Sequence, residues 1–160
     1  MTRLIERDEL IRYVGGVHAR THEALIQLGD AALAWRPSPP EFSAGEVVLH
    51  IINTRLMNLE AIQQKPQRYR GHELPASTTA HDLQKLSLRS GKKVIAGLVD
   101  ADFTVLVPNT TTGSSPAWQR VVGGLIEHEV HHRSQLCSYL TAMGIEAPPL
   151  YRLHAENLPK

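Results

Sequence analysis

The stretch "LIEHEVHHRSQLCSYLTAMGI", residues 125–145, decides which fold the sequence favours. His128 and His132 are four positions apart in it, which places them one turn apart on one side of an α-helix. The same residues match H-E-x-x-H, the zinc signature of metallopeptidases, in which Glu129 would act as general base. Two interpretations are therefore open: a peptidase site, or a pair of metal ligands on a helix.

A helical projection separates the two histidines from their neighbour. With about 100° per residue and His128 as the origin, the apolar residues fall between roughly 20° and 120°. These core-facing residues are Val121, Leu125, Leu136, Tyr139, Leu140 and Met143. His132 lies inside this sector at about 40°, whereas His131 lies about 60° to the other side. We expect His128 and His132 to share one inward-facing ion.

Three further stretches with apolar residues at helical spacing precede this segment. They run over about Leu4–Gly29, about Ser43–Gln64 and about Thr79–Asp102. The second stretch is apolar on several faces, which is typical of a helix buried on more than one side. We therefore expect it to contact a partner subunit in a homodimer as well as its own helices.

The helix ends and the connections indicate the arrangement. Ser43-Ala44-Gly45-Glu46 is a capping box at the start of the second helix. The fourth helix is expected to begin with Ser115 as N-cap and Pro116 at its first position, and to end at Gly144. The residues "FTVLVPNTTTGSS" before it predict an extended connection. The sequence thus predicts an all-α four-helix bundle with a long connection between helices 3 and 4, in a single domain over residues 1–160.

Composition and charge argue against several classes of function. The chain has a formal net charge of +1, so neither nucleic acid nor an acidic membrane is expected as a partner. No apolar run approaches the ~20 residues that cross a bilayer, and the N-terminus does not look like a signal peptide. The single Cys137 suits a reducing compartment and, at about 180° from His128, is not a candidate nucleophile. We expect a cytoplasmic protein.

A catalytic metal site needs three protein ligands, and His50 is the best candidate for the third. It lies near the start of the second helix on one face with Val47, Ile51, Thr54 and Ala61. A lone histidine among aliphatic residues is more often a satisfied core residue, but the inward-facing pair elsewhere favours a ligand. His18 also points inward and stays open as a fourth ligand or an outer partner. His22 is a weaker candidate, and His72, His81 and His154 are expected on the surface.

The peptidase interpretation lacks the rest of its pattern. An extended H-E-x-x-H-x-x-G-x-x-H motif would need glycine and histidine where this chain has Gln135 and Ser138. Glu146 and Glu156 follow, but the glycine and prolines around them end regular helix. No alternating strand pair is expected upstream to bind an extended peptide. We therefore interpret Glu129 as incidental to metal chemistry.

These features together resemble the DinB family of metal-binding helical bundles. The resemblance covers about Leu4–Ile145. It rests on "WRPSPPEFSAGEVVLH", which leads into the second helix, and on "LIEHEVHHRSQLCSYLTAMGI" with two prolines after it. The latter is similar to the family's H-x-x-x-H-H/R-x-Q-L ending, although Ser134 stands where glycine is frequent.

The resemblance implies a divalent ion, zinc or nickel, held by His50, His128 and His132 with open positions for water. In relatives, such an ion activates a low-molecular-weight thiol for transfer, and other members are described as hydrolases; the family is commonly dimeric. This implies a metal-dependent thiol S-transferase or hydrolase acting on a small-molecule substrate. The alternative is a non-enzymatic stress-response or binding protein with a structural or vestigial metal site, which a fourth ligand such as His18 would favour.

The scaffold is expected to be independent of the ion. Four helices of this length can bury enough apolar surface to fold without metal. Gly123 and Gly124 lie in mid-helix just before the histidine pair, at a cost of ~1 kcal/mol each relative to alanine. Glycines at such positions indicate that a neighbouring helix or a substrate approaches the backbone closely.

Overall fold

The computed structural model describes residues 6–109 and 113–152. Most of these residues are helical, and a small two-stranded sheet precedes the last helical segment. The helices are α1 (Arg7–Leu25), α2 (Ala44–Ile62), α3 (Ala80–Val99), α4 (Ala117–Arg120) and α5 (His128–Ala142). A short 3-10 turn, Asp30–Ala32, lies between α1 and α2, and a π-helical stretch, Val121–Glu127, joins α4 to α5. The strands are β1 (Leu106–Asn109) and β2 (Gly113–Pro116).

The predicted helices are confirmed, with shorter ends. The capping box of α2 is present, because Ser43 Oγ accepts from the Glu46 backbone N–H at 3.2 Å and the Glu46 carboxylate accepts from the Ser43 N–H at 2.7 Å. At the end of α5, Met143 is the C-cap and Gly144 follows it with φ 74°, the left-handed conformation that glycine adopts readily. The predicted start of the first helix at Leu4 lies outside the described residues.

The extended connection before the last helix is a paired hairpin. β1 and β2 run antiparallel, with Leu106 opposite Pro116 and Asn109 opposite Gly113. The prediction of an all-α protein was therefore correct for the helices and missed this sheet. Strands of four residues are too short to leave a clear alternating pattern in the sequence.

The start of α4 differs from the prediction for a physical reason. Ser115 lies in β2 and does not cap the helix. The backbone N–H groups of Ala117 and Trp118 donate instead to the carbonyls of Val105 and Phe103, at 2.8 and 2.9 Å. The preceding connection thus satisfies the free N–H groups that a side-chain cap would otherwise bind.

The α2 helix is packed on several sides by helices of the same chain. It packs against α3, α4 and α5, while α1 packs against α3 and α5. No residue of α2 is exposed. Neighbouring helices of the same chain cover much of this apolar surface, while Leu49, Leu56 and Met57 stay half-buried, so the apolar faces of α2 do not by themselves require a partner subunit. The homodimer itself stays a prediction.

The apolar core consists of two clusters with polar side chains between them. One cluster lies near the start of α2 and includes Leu25, Ile51, Leu83 and Leu140. The other lies near the end of α2 and includes Val14, Ile62, Leu98 and Leu125. Between the clusters, buried polar residues occupy the middle of the helices, among them Thr21, Arg55, Ser87 and Glu129.

We call Arg55, Glu129, Ser87, Ser90 and His18 the buried polar network. Arg55 on α2 donates to both carboxylate oxygens of Glu129 on α5, at 2.5 and 2.7 Å, and each side chain is 1% exposed. Arg55 Nη1 also donates to the Ser87 and Ser90 hydroxyls on α3, at 3.2 and 3.1 Å. His18 Nε2, on α1, lies 3.4 Å from Glu129. The network thus connects all four long helices.

One of the two glycines in the π-helical stretch is explained by a close contact with α2. A Cβ added to Gly124 would lie 2.3 Å from Asn58 Oδ1, so the side chain of Asn58 needs a glycine there. Gly123 has only Glu127 Oε2 nearby, at 4.0 Å. The expected close approach of a neighbouring helix is therefore confirmed at Gly124, and α2 is that helix.

Within residues 6–109 and 113–152, no helix is both long and apolar enough to span a membrane.

Candidate metal centre

The structure brings together the three histidines that the sequence singled out. His50 Nε2, on α2, lies 3.1 Å from His128 Nε2 and 3.1 Å from His132 Nε2, both on α5. All three side chains are half-buried. Within the described part of the chain, these three form a group that can hold an ion, and no fourth histidine, cysteine or carboxylate joins them.

The spacing of these nitrogens fits a metal ion. In a tetrahedral zinc site with Zn–N bonds of roughly 2.0–2.1 Å, two ligand nitrogens lie roughly 3.3 Å apart. The observed 3.1 Å from His50 to each of the other two differs from this by a few tenths of an ångström. Three neutral Nε2 atoms that face one another have no hydrogen to share, so an ion would satisfy all three at once.

Each ligand candidate has a hydrogen-bond partner at its other ring nitrogen. His50 Nδ1 lies 2.7 Å from the Tyr69 hydroxyl, and His132 Nδ1 lies 2.9 Å from Gln135 Oε1. His128 Nδ1 lies 3.4 Å from Thr54 Oγ1. Metal-binding histidines usually donate this second N–H to an oxygen, which fixes the tautomer and turns Nε2 toward the ion. The three partners are oxygen atoms, as this arrangement requires.

Thr54 and Gln135 are themselves held in place. Thr54 Oγ1 donates to the His50 carbonyl at 2.8 Å, which leaves its lone pairs for the N–H of His128. Gln135 Nε2 donates to the Tyr139 hydroxyl at 3.0 Å, which turns Oε1 toward His132. Both contacts lie within the helices that carry the histidines, so the orientation of the rings is built into α2 and α5.

The environment keeps the three imidazoles neutral. Burial, together with the charge that the neighbouring histidines would carry, lowers the pKa of His50 to about 3 and that of His128 to about 4. Burial also lowers the pKa of His132. Neutral imidazole is the form that binds metals, so the site is ready for an ion at neutral pH.

The loop between α2 and α3 contributes to the site, which the sequence did not reveal. His72 was expected on the surface, but its Nδ1 lies 2.9 Å from the Tyr69 hydroxyl, and that hydroxyl contacts His50. Asn53 on α2 donates to the Gly71 carbonyl at 2.7 Å and so fixes this part of the loop. No periodic pattern marks a loop, and the short spacing of tyrosine and histidine in "YRGH" was the available signal.

Glu129 belongs to the buried polar network and not to the candidate site. Its carboxylate is 1% exposed and accepts two hydrogen bonds from Arg55, so it has no access to a bound water. The projection at about 100° per residue places Glu129 on the core face, and this was the signal for its burial. The prediction that no strand pair precedes this segment was wrong, since β1 and β2 pair. The burial of Glu129 alone is nevertheless sufficient to argue against a peptidase.

His18 is not a fourth ligand. It lies in a groove between α1 and α3, beside Gly91, and its nearest charged neighbour is Glu129. Burial, with Arg55 nearby, lowers the pKa of His18 to about 4. His22 lines the same groove.

The remaining histidines and Cys137 lie outside the site. His131 is exposed, as the projection predicted, and so is His81 at the start of α3. The half-buried Cys137 packs against the apolar cluster near the start of α2, and burial raises the pKa of its thiol, in agreement with the exclusion of a nucleophile. His154, expected on the surface, lies outside the described residues.

Comparisons with known proteins place these features in context. The model of the DinB family matches residues 1–159. A DinB-like protein from Bacillus cereus has a similar structure, with a TM-score of 0.76 and 19% identity over 88% of this chain and 95% of that one. The DinB-like protein YjoA from Bacillus subtilis gives a TM-score of 0.70 and 20% identity over 88% and 96%. No curated protein matches the chain. At these identities the two structures show the fold alone.

Proposed function

Because the chain belongs to the DinB family, as the match over residues 1–159 shows, we propose that it is a metal-dependent enzyme that acts on a small molecule. His50, His128 and His132 hold one divalent ion in this proposal, zinc or nickel. The observation that carries it is the convergence of three neutral Nε2 atoms, each with its Nδ1 next to an oxygen. The reaction is thiol S-transfer, with a low-molecular-weight thiol, or hydrolysis.

The number of protein ligands supports a catalytic ion rather than a structural one. Structural zinc sites are closed by four protein ligands, whereas catalytic sites have three and keep a position open. Among the residues that the structure describes, His18 is too far into the α1–α3 groove to supply a fourth. When bound, an ion held by three neutral imidazoles keeps its full charge and lowers the pKa of a coordinated water or thiol toward neutrality.

We also propose that α1, α2, α3 and the α4–α5 segment form a four-helix bundle. The packing of α2 against α3 and α5, and of α1 against α3 and α5, supports it. The buried polar network supports it further, because one carboxylate and one guanidinium contact side chains from all four elements. In this arrangement the ligands come from two facing helices, a common design for metal sites in bundles.

Metal analysis of purified variants tests the proposal. We expect close to one ion per chain in the parent and well below one in His50→Ala, His128→Ala and His132→Ala. His131→Ala is the matched control, because His131 is exposed and next in sequence to a ligand. Full occupancy in His50→Ala with loss in His18→Ala would contradict the assignment of the third ligand.

A second measurement separates an enzyme from a metal-binding protein. The metal-loaded chain is screened against electrophilic and ester substrates with and without added thiols, and turnover is compared with that of His50→Ala. A thiol- or water-dependent turnover that His50→Ala lacks supports the enzyme. Full metal occupancy with no turnover in the parent would favour the non-enzymatic alternative.

A further inference from the structure

An arginine without an acidic partner lies beside the candidate metal site. Arg120, the last residue of α4, lines a cleft of about 260 Å³ that His128 also lines. Its guanidinium contacts neutral acceptors: Asn58 Oδ1 at 3.3 Å, Gln67 Oε1 at 3.1 Å and the Pro108 carbonyl at 2.7 Å. In the described ranges no carboxylate pairs with it, and its buried Nε–H has no acceptor.

The cleft as a whole favours an anion. None of the described residues that line it is acidic, and Arg120 is the one charged residue among them. A half-buried guanidinium loses part of its hydration and is stabilised by a negative charge that enters the cleft. The cleft is therefore complementary to a ligand that carries a single negative charge.

The surrounding residues hold Arg120 in its position. Asn58 Nδ2 donates to the carbonyls of Thr54 and Gly124, at 2.9 and 3.2 Å, and this turns Oδ1 toward Arg120. Gly124 permits the approach, because a side chain there would collide with Asn58. Thr54 also contacts His128 Nδ1, so the same turn of α2 orients the arginine and a candidate ligand.

We propose that Arg120 binds the carboxylate of a small substrate whose other end reaches the ion. The inference rests on the proposed function for the role of the ion, but not for the binding of the anion. Three of the five N–H groups of Arg120 donate to neutral acceptors and the Nε–H is buried, which leaves one Nη1–H to donate to a carboxylate oxygen. The volume of about 260 Å³ lies below the range of roughly 300–1,000 Å³ for typical ligand pockets, which indicates a short acid of a few carbons.

The first test needs no metal chemistry. The full chain, labelled with ¹⁵N at the arginine Nε, is titrated with butyrate, 1-butanol or inorganic phosphate and followed by NMR. The Arg120 resonance, assigned by its loss in Arg120→Gln, is expected to shift saturably with butyrate and to stay in place with 1-butanol. No shift with butyrate, an equal shift with 1-butanol, or a shift with phosphate alone would overturn the proposal.

The second test uses a ligand with a carboxylate at one end and a thiol at the other, so that one molecule can contact both Arg120 and the ion. The Co(II)-loaded chain is titrated with 3-mercaptopropionate and with 3-mercapto-1-propanol, using the thiolate-to-cobalt absorption band. We expect the acid to bind roughly tenfold to a hundredfold more tightly, the range for a hydrogen bond to a charged group. Arg120→Gln should remove this preference, Arg120→Lys should keep part of it, and Arg89→Gln, a matched exposed arginine outside the cleft, should keep it all.

Together, the NMR and cobalt titrations distinguish failure of the Arg120 proposal from failure of the proposed metal site. Equal binding of the acid and the alcohol to the cobalt-loaded parent would overturn the role of Arg120 and leave the metal site standing. A chain that takes up no cobalt would contradict the proposed function, and the NMR titration would still decide whether Arg120 binds carboxylates.

Discussion

Replacing Glu129 by glutamine removes one negative charge from the centre of the molecule and nearly preserves the size of the side chain. The carboxylate accepts from Arg55 at 2.5 and 2.7 Å, and both side chains are 1% exposed. In the variant the Arg55 guanidinium would stay buried, with Ser87 and Ser90 as neutral acceptors. We therefore expect Glu129→Gln to lower stability while leaving the three candidate ligands in place.

The expected loss follows from the burial of the pair. Breaking a buried ion pair by removing one partner costs about 3–5 kcal/mol. Because the amide oxygen of glutamine still accepts one hydrogen bond from Arg55, we expect about 3 kcal/mol, a large part of a total that is typically about 5–15 kcal/mol. Glu127→Gln is the matched control, since Glu127 is exposed two residues earlier, and should change stability by no more than about 0.5 kcal/mol.

The difference in stability between the parent and Glu129→Gln should also depend on pH. Burial raises the pKa of Glu129, but the charge and hydrogen bonds of Arg55 outweigh it, and the net pKa lies below the usual range. A carboxylate with a lowered pKa in the folded state stabilises the protein above its unfolded pKa of about 4.3. This stabilisation is lost as the pH falls through the folded pKa. The difference between the parent and Glu129→Gln should be complete at pH 7 and should shrink in acid.

Urea unfolding followed by circular dichroism, from neutral pH down to pH 3, measures both effects. Metal content should remain near that of the parent wherever Glu129→Gln is folded. A loss below about 1 kcal/mol at pH 7, together with loss of a peptide-hydrolysing activity, would refute this account and make Glu129 the general base of a metallopeptidase.

Three further outcomes follow from the same contacts. Gly124→Ala should destabilise the fold by about 1–3 kcal/mol through its collision with Asn58, whereas Gly123→Ala should be neutral or stabilising by up to about 1 kcal/mol; thermal unfolding compares them. Tyr69→Phe removes the oxygen next to His50 Nδ1 and should weaken metal binding about tenfold to a hundredfold in a competition titration, unlike the exposed Tyr13→Phe. Chelation should abolish activity but leave most of the helical circular dichroism, and its collapse would mean that the ion holds the fold together.

The helices and the His128–His132 pair could be predicted because both depend on short-range spacing, whereas His50 was inferred from its place among the apolar residues of α2. His128 and His132 share a helix face wherever the segment is helical, and His50 lies on the buried face of α2, so two facing helices bring all three together. The structure keeps this geometry, with 3.1 Å between the His50 nitrogen and each of the other two.

Features that depend on a non-periodic backbone could not be predicted in this way. Tyr69 and His72 reach His50 because Asn53 fixes the loop at Gly71, and no spacing rule predicts such a contact. The change from α4 to a π-helical stretch leaves only its glycines as a sign in the sequence. Glu129 is different, because at about 100° from His128 it falls within the core-facing sector of the helical projection. It was interpreted only with respect to metal chemistry, and its burial was not predicted.

The buried polar network and the histidines use adjacent residues for separate tasks. Thr54 contacts the histidine His128, and the next residue, Arg55, pairs with Glu129, which itself follows His128. The Arg55–Glu129 pair therefore links α2 to α5 without involving the imidazoles. In evolutionary terms, replacing the histidines is expected to remove the candidate ion site while the contacts that hold α2 against α5 remain, so the site is freer to change than the fold.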